Sequence, residues 1–413
     1  MKNQLSYLKG ISIICLPFIL SFFDCGSNVE FKDLEIEPLT DVLTLEWTFG
    51  GEYDPHKEEY LLAQPNGFAA NDKGDIFIGD ELSIKVFDKN GNEKRIIGRQ
   101  GQGPGEFMSF LGYAWPKLYI SPEGFFTVLE RSDIYHLFSP EYLFLIKRNL
   151  DNNQKLKALF KDFNLFPDPR VNDLISVNEN ERIFTISTDD INKRRGLDAQ
   201  RYDLLVYENS DTIFAIQKLS STNYIPLPSW GFSSGELGIF RWYLLPEHRL
   251  IYTHTGYDIQ MNKSESRYIL HILSLDTFQE THISHPYIPI AFPDSLINSF
   301  NWDRTPEEKR DAKIIREHYK KVKYFAPIQK IIADGNYVFV FTYQKNVKND
   351  YFTDIFDAST GKYVHSVYFP QWVAISYLDQ TTIKGGYVYR LKAPRDEFAE
   401  VHKYKIDPVV YGK

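Results

Sequence analysis

The chain has little cysteine, little methionine and no excess of positive charge. Of its 413 residues only Cys15 and Cys25 are cysteines, so no framework of disulfides holds the fold. There is no paired-cysteine motif, and no two histidines stand four apart on a helical stretch, which excludes the common zinc signatures. Gly-x-Ser-x-Gly is absent, and with it the nucleophile elbow of an α/β-hydrolase. Acidic residues outnumber basic ones, 55 to 47, for a formal charge of −8. A chain of this sign is a poor partner for nucleic acid. The apolar run Ile11–Phe23 falls short of the roughly 20 residues a membrane span needs, and no second run approaches that length.

That short run is informative in its place. Lys2 and Lys9 precede it, and Cys25-Gly26-Ser27-Asn28 follows. Two positive charges ahead of a short apolar core match a secretory signal. With the cysteine directly after it, the segment looks like the leader of a bacterial lipoprotein, although Asp24 stands where such leaders carry a small residue. The expected organisation is a signal peptide over residues 1–24, lipidation at Cys25, a linker over 25–40 and a folded domain over 41–413. Its expected place is the bacterial cell envelope, with membrane contact only through the lipid.

Aromatics are plentiful, at 15%, with 27 Tyr and 31 Phe. They fall in short apolar runs cut by Asp/Asn/Gly turns, the mark of antiparallel strands. The clearest unit spans Gln64 to Phe107. It contains the turn Asn71-Asp72-Lys73-Gly74-Asp75, the runs Ile76–Asp80 and Ile84–Phe87, and a glycine-rich hinge, Gly98–Gly105. A second unit repeats the pattern with Ile120–Val128 and Ile134–Phe138, about 50 residues later. Weaker copies follow at Asn178–Ile186 with Leu204–Tyr207, Pro246–Tyr252 with Tyr268–Leu273, Ala333–Val340 with Thr353–Asp357, and Ile383–Tyr389 with Val401–Ile406. A period near 50 residues is that of a propeller. The unpaired early strand Leu43–Phe49 completes the last blade and closes the ring, leaving no open edge.

The Gln64–Phe107 unit resembles NHL-repeat propellers, and more narrowly the six-bladed β-propeller lipoproteins of bacteria. The resemblance implies an all-β, six-bladed β-propeller that binds something, with no fixed catalytic set. Short helical insertions are expected on one face. The turns Asn71–Asp75, Ser121–Gly124, Asn178–Glu181, Asp334–Asn336 and Lys384–Gly386 are all short, and they share one face. The long segments Thr188–Arg201, Leu219–Arg241 and the inter-blade insertion 285–325 share the other. Within that insertion Thr305-Pro306-Glu307-Glu308 reads as a cap, a first-turn proline and an acidic start, which predicts a helix to Val322. A smaller one is expected over Asn152–Phe163. Long loops on a rigid scaffold are where binding residues gather.

The position where each second strand reaches the decorated face holds Asp80, Glu130, Ser187, His254, Phe341 and Leu391, with Arg131, Asp189 and Arg390 beside it. These are the candidates for a polar ring at the channel mouth, with Trp230, Phe232 and Trp302 as aromatic contact area. The bland reading of Asp80 is a hydrogen bond to backbone of an adjacent loop. The glycine run does not open a helix, so it is a hinge rather than a phosphate cradle. The main functional expectation is a non-catalytic module for a protein, peptide or glycan, needing no cofactor. The alternative is a lyase or hydrolase with a divalent metal on Asp80, Glu130 and His254, similar only in shape to lactonase propellers.

Overall fold

A computed structural model describes residues 37–52, 58–108, 116–167, 170–262, 265–374, 379–394 and 397–413. The expected leader and Cys25 lie outside the described residues. Among the described residues six blade sheets of antiparallel strands follow one another along the chain, with a two-stranded ribbon, Tyr224–Pro226 and Gly231–Ser233, between the third and fourth. Blade 1 comprises Pro65–Ala70, Ile76–Asp80, Ser83–Phe87 and Glu93–Ile97; blade 2 runs from Lys117–Ile120 out to Phe144–Asn149. Blades 3, 4 and 5 begin at the inner strands Arg170–Ser176, Phe240–Leu245 and Ile328–Asp334. Blade 6 combines Asp379–Lys384, Tyr387–Lys392 and Glu400–Ile406 with the N-terminal strand Leu43–Gly50. That strand pairs antiparallel with Glu400–Ile406, Phe49 opposite Val401 and Leu43 opposite Ile406. The ring is therefore a six-bladed β-propeller, closed as the sequence pattern predicts.

The physical reason for a ring is visible in any second strand. Successive side chains in a strand point to opposite faces. In blade 1, Ile76 and Ile78 join the core shared with blade 6, while Phe77 joins the core shared with blade 2. In blade 5, Val338 and Val340 face blade 4, whereas Phe339 and Phe341 face blade 6. Blade 3 does the same with Ile183 and Phe184. Both faces of each sheet are apolar, so each blade requires a neighbour on either side. Six interfaces carry six apolar clusters, and the circle leaves none uncovered.

Within each blade the strands alternate in direction, so first-to-second and third-to-fourth turns lie on one face. Second-to-third loops and blade-to-blade connections lie on the other. The α-helices of the described residues all fall in blade-to-blade connections: α1 (Gln154–Asp162), α2 (Asp294–Ser299), α3 (Pro306–Val322) and the single turn α4 (Gln371–Ala374). Thr305 caps α3 by accepting from the Glu308 amide, with Pro306 in its first turn. One boundary differs from expectation. Blade 4 carries a fourth strand, Glu280–Tyr287, so the insertion starts after Tyr287. His282 and His285 lie within this strand, three apart and hence on opposite faces.

Phe77 is 1% exposed, with its ring 4.8 Å from Phe126 and 5.3 Å from Tyr142. Phe77→Ala opens a cavity between blades 1 and 2 and should lower unfolding free energy by about 3–5 kcal/mol. Leu45→Ala, at a side chain 50% exposed, should change it by less than about 0.5 kcal/mol. Urea denaturation of the two variants checks the difference.

Candidate functional site

The second-strand positions are occupied by intramolecular partners. Asp80 is fully buried and accepts from the amides of Ala63 and Gln64 at 3.2 and 2.6 Å and from Lys85 at 2.6 Å. It thereby pins the crossing from blade 6 into blade 1. Glu130, 1% exposed, repeats this one blade on, accepting from the Met108 amide at 2.7 Å and facing His136 Nε2 at 2.7 Å. Burial pushes the Glu130 carboxyl up, but the bonds from His136 and Met108 outweigh it and hold it below the usual range. Thr188 and Thr255 tie crossings in blades 3 and 4 through the carbonyls of Phe166 and Ile239. The bland reading of Asp80 is thus the one its contacts support, and the device recurs around the ring.

The other candidates are similarly placed. Arg131 pairs with Asp133 at 2.6 Å, and Asp189 with Arg201 at 2.9 Å. His254 is fully buried, with Nε2 3.7 Å from Asp203, and its backbone amide donates to Asp258. Arg390 lies over the Trp372 ring at 4.7 Å. Phe341 and Leu391 are core residues, and Ser187 donates to Asp203. A polar ring over the channel is therefore not what these residues form. Among the described residues no three His, Cys, Asp or Glu side chains converge on a point, so Asp80, Glu130 and His254 make no common metal site.

Trp230 and Trp302 do come together, stacked at 6.1 Å, with Trp230 Nε1 donating to Asp311 on α3 at 2.9 Å. Phe232 packs edge-on against Phe300 and Trp302. Phe232, Phe300 and Trp302, with Ile225, Leu227 and Ile315, belong to a small separate core that fastens the insertion to the loop before blade 4, and Trp230 stacks on its edge. Their first task is structural, though Trp230 remains 46% exposed. Ile191, Leu197, Tyr257, Met261 and Ile288 are also exposed on loops of this face. A hollow of about 760 Å³ lies beside the insertion, lined by Ser233–Glu236, Phe325, Gln329 and Tyr343.

The channel itself is lined by the innermost strands, which the repeat pattern left out of account. All six blades contribute to a cavity of about 320 Å³. Its polar lining comes from Tyr119 of blade 2, Asp173 of blade 3, Arg241 and Tyr243 of blade 4, Lys330 of blade 5 and Thr381 of blade 6. Tyr119 donates to Asp173 at 2.7 Å, and Lys117 at the rim pairs with the same carboxylate at 3.0 Å. Burial raises the Asp173 carboxyl, but Lys117 and Tyr119 bring it below its ordinary value. Among the described residues Lys330 donates to the Val373 carbonyl at 3.3 Å and the Thr381 hydroxyl at 3.2 Å and to no carboxylate. Burial, with Arg241 nearby, pushes Lys330 down to about 8. Arg241 Nε is buried with no hydrogen-bond partner among the described residues. Polar atoms in such a state are rare in proteins and call for an explanation.

A family model, DUF5128, described as a 6-bladed beta-propeller, matches residues 57–115. Among solved structures, a Bacteroides fragilis NCTC 9343 protein named "putative exported protein" is 12% identical, with 89% of this chain and 98% of that one covered and a TM-score of 0.38. A chain of a mitotic checkpoint complex is 10% identical over 88% and 94% of the two chains, with a TM-score of 0.39. The Neurospora crassa Pan2 WD40 domain is 8% identical over 89% and 97%, with a TM-score of 0.35. No curated relative matches the sequence.

Asp80→Ala leaves the ammonium of Lys85, a side chain 7% exposed, buried without its carboxylate. The expected loss of stability is about 3–5 kcal/mol. Adding Lys85→Met should restore a substantial part of it. Denaturant midpoints of the single and double variants check this; equal losses in both would place the role of Asp80 elsewhere.

Proposed function

We propose that this protein is an exported, lipid-anchored propeller of the bacterial cell envelope, acting as a non-catalytic binding module. Its ligand, a small molecule or the tip of a peptide or glycan, enters the central channel from the loop-rich face. One observation carries this reading: polar groups from five different blades converge in a walled cavity of about 320 Å³, and one of them, Arg241 Nε, has no hydrogen-bond partner among the described residues. Elsewhere in the ring the conspicuous acids are spent on holding blade crossings. Binding pockets of this kind combine apolar walls with a few convergent polar groups. Phe68, Trp242 and the two tyrosines supply the walls here. Export and anchoring rest on the leader and Cys25 alone. The exposed apolar residues of the same face suit a partner seated over the mouth.

Thr382 lines the channel from blade 6, and Thr382→Trp should plug it. In a thermal-shift panel of neutral sugars, uronic acids, amino acids and dipeptides, at least one class should raise the wild-type midpoint with concentration. Thr382→Trp should abolish that rise. A panel without response, or a plugged variant that responds like the wild type, would contradict the proposal.

A further inference from the structure

We infer that the channel recognises an oxyanion, the carboxylate or phosphate of its ligand, held between Arg241 and Lys330. The inference rests on the binding-module reading and gives its ligand a charge. Its basis is an imbalance of partners. Three cations, Lys117, Arg241 and Lys330, stand in or at the rim of the cavity. The acid within it is Asp173, and that carboxylate is already taken by Lys117 and Tyr119. Glu236 is the other acid whose charge acts on Arg241, and it is engaged by the Ser234 hydroxyl. No carboxylate of the described residues lies within ion-pair distance of Arg241 or Lys330.

Geometry makes the pair usable. Arg241 and Lys330 sit on the inner strands of consecutive blades, 4 and 5, and line the same cavity. An unpaired charge in a partly buried position is unfavourable, and proteins place it where something pairs with it. A guanidinium presents a planar fork that matches two oxygens of a carboxylate or phosphate. The Lys330 ammonium adds a point charge from the adjacent blade. Tyr243 lies within the same wall and offers a hydroxyl to the remainder of the ligand, whereas the Thr381 hydroxyl is already engaged by the Val373 carbonyl and Lys330. Burial also lowers Arg241, with Tyr343, Asp173 and Glu236 opposing that shift. Both cations therefore stand to gain from an arriving anion.

Titration calorimetry with inorganic phosphate, glucuronate and glucose tests this on the folded protein. Phosphate or glucuronate should bind the wild type, and the better of the two identifies the headgroup. Arg241→Gln and Lys330→Gln should each weaken binding by about tenfold or more, while Lys330→Arg retains most of it. Lys313→Gln, at an exposed position on α3, should leave it unchanged. Should the glutamine variants prove unfolded by circular dichroism, the comparison of Lys330→Arg with Lys330→Met decides. Anion binding unaffected by the channel substitutions, or no anion binding at all, overturns the inference. Binding of glucose alone would overturn it as well, yet leave the binding-module reading standing.

Discussion

Everything in this structure depends on sheets that are apolar on both faces. A strand such as Tyr337–Lys345 sends Val338 and Val340 to one neighbour and Phe339 and Phe341 to the other. All four are fully buried, and burial of each such side chain contributes about 1.5–3 kcal/mol. A stack of such sheets would leave an exposed apolar face at each end. Closing the stack into a circle removes both ends, and the pairing of Leu43–Gly50 with Glu400–Ile406 fastens that circle. The chain has no disulfide framework, so this burial must supply the stability.

A circle of radiating sheets has consequences for where chemistry can reside. The blade interfaces are filled with apolar side chains and leave little room for a polar site. What remains is the axis, where six inner strands face one another, and the two rims. One rim is trimmed to tight turns. The other carries the α-helices of the described residues, the small core around Trp302 with Trp230 stacked on it, and exposed apolar residues such as Leu197 and Ile288. Long connections on that rim must be held against the scaffold. Asp80 and Glu130 do this with buried carboxylates that accept backbone amides from the incoming crossing.

Much of the fold was legible from residues alone. The Asn71–Asp75 turn and its equivalents, the Thr305-Pro306-Glu307-Glu308 start of α3 and the unpaired Leu43–Phe49 strand each signal local structure by known steric and hydrogen-bonding rules. The candidate site was less legible. Acidic residues at strand ends look functional in sequence because burial is invisible there, and Asp80 turned out to serve the backbone. The channel residues lie on inner strands, which have no flanking turn signature at their entry. A signal did exist: Arg241 is a lone charge inside the apolar run Phe240–Leu245, and Asp173 and Lys330 open the apolar runs Leu174-Ile175 and Ile331–Ala333. A charge so placed is either paired or waiting for a partner, and only the arrangement in space tells which.

The account turns on an axis that is open to solvent and positively biased. The most direct measurement places a thiol there, Thr382→Cys in a chain with Cys15 and Cys25 changed to serine. Its reaction rate is then compared for anionic and cationic thiol reagents of equal size, with an exposed cysteine at Val347 as reference. A clear preference for the anionic reagent at position 382, absent at 347 and removed by Lys330→Gln, is the result the account predicts. Equal rates, a preference for the cationic reagent, or no reaction at 382 would contradict it.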